Sequence, residues 1–82
     1  MSEAGSAALD RFRRDWSEAL VQAQARFRID DMVGLTVDAA RAQVVDLGGE
    51  FVTDDRPIAA KLDLNRVIAT VSGGYVIAAR VG

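Results

Sequence analysis

The side chains of this chain that could carry acid–base or ligand chemistry are few. They are the carboxylates, among them the acid pairs Asp30-Asp31 and Asp54-Asp55, the single lysine Lys61, the single tyrosine Tyr75, and scattered Ser and Thr. There is no His and no Cys. Without His the commonest general base, proton shuttle and metal ligand is missing, and no Ser-His or Cys-His nucleophile can be assembled. Neither acid pair has the alternating oxygen-ligand spacing of a calcium loop, and adjacent acids read instead as markers of turns and helix starts. The expectation is a protein that binds, not an enzyme, with no metal and no cofactor.

What it binds with must then be a surface, and the least ordinary stretch is DDRPIAAKLDLNRV, Asp54 to Val67, which contains the only Pro and the only Lys. A strand candidate precedes it, Glu50-Phe51-Val52-Thr53. A clear strand closes it, Arg66 to Val71, with Val67, Ala69 and Val71 on one face. Twelve residues lie between, 54–65, whereas hairpin loops run to about two to five. The length suits a connection between parallel neighbours, and Pro57 forbids helix entry at Arg56. Ile58, Leu62 and Leu64 are apolar at even spacing and Pro57 fixes one φ, which suits an extended, partly pre-organised path. Ser72-Gly73-Gly74 reads as a hairpin turn and Tyr75 to Val81 as an antiparallel return strand.

Two helices precede these strands. Leu9, Phe12, Trp16, Ala19 or Leu20, Ala23 and Phe27 recur every three or four positions, predicting an amphipathic helix from Ala8 to about Arg28 with Ser6 as N-cap. Ile29 to Val33 breaks the pattern as a joint. A second helix starts at Thr36 as N-cap, with Asp38 in its first turn and Leu35 placed to staple onto Ala40. It runs through Val44 to Leu47 and ends at Gly48 in the left-handed C′ position. The predicted fold class is α+β: a long N-terminal amphipathic helix, then a second helix packed on a small mixed three-stranded sheet with a long loop joining two parallel strands. Residues 1–30 form the helical arm and 31–82 the α/β domain.

Eighty-two residues allow one small core. The formal charge is −2, and the cluster Arg11, Arg13, Arg14 alternates with Asp10, Asp15 and Glu18 as a solvated helix face does, so no nucleic-acid partner is expected. No run approaches the roughly 18 apolar residues of a membrane span. The first residues lack a basic start and an apolar core, so a cytoplasmic protein is expected, with secretion open if a leader was removed.

The order of these motifs carries a resemblance. A helix opening VGLTVDAARAQV, a strand, a long exposed loop, a strand reading LNRVIATV, a turn and the ending RVG resemble the potato inhibitor I family of serine protease inhibitors and its bacterial relatives, over residues 32–82. The resemblance implies that loop 55–64 is presented to a subtilisin- or elastase-like protease through Ile58, Ala59, Ala60, Lys61 and Leu62. Ala60 would be the residue attacked and Lys61 would lie on the leaving side. In that family a Thr and an acid flanking the attacked residue bond to Arg side chains of the following strand. Here those positions are Ala59 and Lys61, and Ile68 stands where a second Arg commonly lies. Loop support is therefore assigned to Arg66 and Asp63, with Lys61 and Arg66 expected to repel and Asp63 the acid placed to bridge them. A loop without such bracing is cut as a substrate.

Two further readings stand beside the inhibitor. Leu9, Phe12, Trp16, Leu20 and Phe27 fit an interaction stripe that would self-associate into a homodimer or dock a larger enzyme; the rival view is that the stripe covers the domain. Trp16, Phe51 and Tyr75 could line a small-molecule pocket, but aromatics of this kind are expected to fill the core.

Overall fold

A computed structural model describes residues 2–82, with side chains described at Arg11 and from Arg13 onward. Helix α1 spans Ser2–Phe27, a 3₁₀ turn spans Ile29–Asp31, and α2 spans Val37–Asp46; the strands are β1 (Glu50–Thr53), β2 (Arg66–Ser72) and β3 (Tyr75–Val81). The three strands form one sheet in the order β1-β2-β3. β1 runs parallel to β2, with Phe51 opposite Val67. β3 returns antiparallel, with Val67 opposite Val81. The architecture is the expected α+β mixed sheet, and both strands that flank the long loop are parallel neighbours.

α1 begins upstream of the expected cap, so Ser6 lies inside the helix. The reason is local: the Ala-rich sequence continues the helix at low cost. At the other end Arg28 takes the left-handed conformation (φ 56°), closing α1 and turning the chain into the 3₁₀ segment. That joint buries Ile29 and Met32 while Val33 stays exposed.

α2 starts and ends on the expected residues. The Ala39 amide donates to the Thr36 hydroxyl at 3.2 Å, Leu47 follows the last turn, and Gly48 has φ 81°, a value that carries no strain for glycine. The segment Gly34–Val37 also borders β3. The Val76 amide donates to Leu35 O at 2.9 Å and the Gly34 amide to Val76 O at 2.8 Å, which covers the start of that edge strand. Gly73 and Gly74 both have positive φ, as a two-residue hairpin turn that matches strand twist requires. An irregularity between Thr70 and Val71 leaves Ile77 without a partner in the β2–β3 register, and its side chain is exposed.

One sheet face packs on the helices. Val67, Ala69, Val76 and Val81 are buried with Ala23, Phe27, Ile29, Met32, Ala40 and Val44, and Leu20, Leu35, Phe51 and Leu64 pack against this cluster. The core is therefore continuous across residue 30: Phe27 and Ile29 from the arm side belong to the same cluster as Met32 and Val44. Gly49 shows how tight the fit is, since a Cβ there would lie 2.5 Å from the Phe27 ring and 2.9 Å from Val44. The opposite face is not open either. Ile68 points away from the helices, yet it is only 4% exposed, because the long loop returns over it: Ile58, Ala59 and Leu62 line the same depression as Ile68. Tyr75, expected in the core, is exposed; it starts the edge strand at the hairpin turn, where its backbone bridges to Thr36.

Candidate functional site: the loop between the parallel strands

Residues 54–65 are built as three anchored points with exposed chain between them. The first is the exit from β1. The Asp54 amide donates to Ala69 O at 3.0 Å, the Thr70 hydroxyl donates to the Asp54 carboxylate, and the Thr53 hydroxyl donates to Asp55. The acid pair thus closes the turn out of the strand, the role adjacent acids ordinarily have.

The second anchor is Arg66, at the first position of β2. Its alternation places the side chain on the face away from the helices, beneath the returning loop, and the residue is 7% exposed. Its Nη2 donates to Lys61 O at 2.6 Å and to Ala59 O at 3.3 Å, while Nε donates to Gly82 O at 2.6 Å. The Gly82 amide returns a bond to Arg66 O at 3.0 Å. A planar guanidinium offers its donors in a fixed fork, so one side chain fixes the loop to the end of β3. Both expected supports, Arg66 and Asp63, bond within the loop, but not through the expected bridge. Asp63 does not bridge Lys61 and Arg66: its carboxylate accepts from the Asn65 amide at 2.8 Å and its carbonyl from the Arg66 amide at 3.1 Å. The two cations do not confront each other, because Arg66 engages the Lys61 backbone while Lys61 itself is exposed. Bracing of the loop is present, supplied through main-chain carbonyls in place of a Thr and an acid.

The third anchor is Asn65. Its side-chain Nδ2 donates to Gly48 O at 2.9 Å and its Oδ1 accepts from Arg26 Nη1 at 3.1 Å. Its carbonyl accepts from the Glu50 amide at 2.8 Å. Neither Asn65 nor Arg26 is apparent in the sequence as a loop support, since the contact joins the last turn of α1 to a residue 39 positions away.

Between these anchors Ala59, Ala60, Lys61, Leu62 and Asp63 are exposed, and Ile58 and Leu64 are half-buried. Among the described residues no hydrogen bond engages Ala60, which lies between the two carbonyls that Arg66 holds. α1 flanks the loop without covering it: half-buried Trp16 borders a depression shared with Ala59, Lys61, Leu62 and Leu64.

The residues expected to form the interaction stripe separate into different roles. Phe27 is fully buried in the chain's own core and belongs to no exposed surface. Leu20 packs against that core and Trp16 sits beside the loop. The side chains of Leu9 and Phe12 lie outside the described residues. The three aromatics Trp16, Phe51 and Tyr75 do not share a pocket; Trp16 and Phe51 line separate depressions. Among the described residues no group of three or more His, Cys, Asp or Glu is placed to hold a metal, and no helix is long and apolar enough to cross a membrane. Comparison of the chain with protein-family models, curated proteins and solved structures found no match.

Proposed function

We propose that this protein is a small serine protease inhibitor that offers loop 55–64 to a subtilisin- or elastase-like enzyme, with Ala60 entering the primary pocket. One observation carries the reading: a buried guanidinium holds the carbonyls of Ala59 and Lys61, on both sides of an exposed Ala60 that has no internal hydrogen bond. A loop fixed in this way loses little conformational entropy when an active-site cleft closes on it, which favours tight binding over ordinary substrate turnover. If the protease serine attacks the Ala60 carbonyl, the acyl part stays attached through Ala59 and the released Lys61 amine stays attached through its own carbonyl. Both ends then remain on one cation, so religation competes with hydrolysis. The methyl side chain of Ala60 suits an enzyme with a small or shallow primary pocket.

Titration of subtilisin and of pancreatic elastase with the protein tests this directly. Stoichiometric loss of activity is expected, and Ala60→Phe is expected to move the preference by at least about tenfold from elastase toward an enzyme with a deep apolar pocket. Fast cleavage between Ala60 and Lys61 without loss of protease activity would sink the reading.

A second reading, assembly through α1, is favoured by a separate observation. The molecule measures 54 Å along one axis against 24 and 19 Å across, a 26-residue helix rises about 39 Å, and its core residues among the described side chains, Ala23 and Phe27, lie in its last turns. Arg11, Arg13, Arg14 and Asp15 remain exposed. Removing residues 2–15, which spares Phe27, should convert a dimer into a monomer by light scattering. An unchanged mass would dispose of this reading.

A further inference from the structure

The long loop is held at its far end by a residue of α1. Arg26 Nη1 donates to Asn65 Oδ1 at 3.1 Å, and its Nη2 donates to Leu47 O, the cap residue of α2. Asn65 Nδ2 reaches Gly48 O at 2.9 Å in the same turn. Every polar group of Asn65 is engaged, because its amide donates to Asp63 Oδ1 and its carbonyl accepts from the Glu50 amide. Such complete use of an exposed Asn fixes its side chain in one geometry and makes it a lock. Three segments meet there: the last turn of α1, the α2–β1 turn, and the residue immediately before Arg66.

We propose that Arg26 and Asn65 are positioning residues through which the docked α1 sets the order of the loop and the placement of the Arg66 guanidinium. A rotation at Asn65 moves the backbone of Arg66 directly, and with it the donor group that holds Ala59 and Lys61. α1 is then part of the loop's scaffold. The proposal rests on the inhibitor reading for its consequence at a protease, while the lock itself is readable in the free protein.

Amide hydrogen exchange on the full chain tests it. The Glu50 amide bonds to Asn65 O and the Arg66 amide to Asp63 O, so both report the far end of the loop, whereas the Asp54 amide bonds to Ala69 O and reports the near end. Arg26→Ala is expected to speed exchange at Glu50 and Arg66 about fivefold relative to Asp54, the size of one modest hydrogen bond. The ratio cancels any change in global stability. Asn65→Ala should do the same, and the double variant should not exceed the stronger single variant by more than about twofold, as a shared interaction requires. Gln43→Ala is the control: it removes another bond to α1, from Nε2 to Phe27 O at 2.9 Å, and should leave the ratio unchanged. In the subtilisin assay Arg26→Ala should raise the rate of loop cleavage about fivefold at the same bond. An unchanged Glu50 to Asp54 ratio in Arg26→Ala, or effects of the two substitutions that multiply, overturns the lock even if the protein inhibits. If the protein does not inhibit at all, the exchange ratio still decides, and the two failures are told apart.

Discussion

Arg66→Ala is expected to make loop 55–64 more readily cleaved by subtilisin while lowering the stability of the protein. The substitution removes three donors at once, to Ala59 O, Lys61 O and Gly82 O. Hydrogen bonds from a charged donor contribute about 1.5–3 kcal/mol each, but the loop carbonyls regain water when released, so a net loss of about 3 kcal/mol is expected. In a domain of this size that corresponds to a fall in Tm of roughly 15 °C. The effect on the loop should be larger than the effect on the body, because β1, β3 and the helices keep their own contacts. Cleavage by subtilisin, measured at a temperature where the variant is folded, should rise by well over about tenfold. Arg66→Lys separates charge from geometry: an ammonium is a point charge without the planar fork, so it should recover part of the stability and little of the resistance. Equal cleavage rates in the parent and Arg66→Ala would mean that the guanidinium does not hold the loop.

That clamp also marks where reading residue types stops being informative. The strands were legible because their cues are local: β1 and β3 fall at Glu50–Thr53 and Tyr75–Val81, where alternation and the Gly73-Gly74 turn place them. α2 was legible from Thr36 and Gly48 for the same reason. Parallel pairing of β1 and β2 followed from the length of the connection alone. The loop's bracing was not legible, since side-chain identities name side-chain partners and Arg66 uses carbonyls, which every residue has. Ile68 carries the same lesson. Period-two alternation assigns it to the open face, and only the return path of the loop explains its burial. Asn65 and Arg26 are ordinary polar residues until the fold brings the last turn of α1 beside the α2–β1 turn. Phe27 was read correctly as apolar and helical, but periodicity alone does not say whether a stripe meets its own body or a partner.

Phe27→Ala decides that last question, and its expected effect on stability is the largest in the molecule. The ring is fully buried, packs so closely over Gly49 that no Cβ fits between them, and lies beneath the Arg26 guanidinium at 4.7 Å from its centroid. Truncating a buried Phe costs about 3–5 kcal/mol through lost transfer energy and the cavity left behind. A chain of 82 residues has a total stability of about 4–12 kcal/mol, so the variant should lose roughly a quarter of it at the least, with a urea midpoint lowered in proportion. The measurement tests the second half of α1, where Ala23 and Phe27 are buried in the core. If Phe27→Ala instead keeps the parent midpoint, the helix is an independent arm, the sheet and α2 hold the fold alone, and Arg26 has no fixed platform from which to reach Asn65.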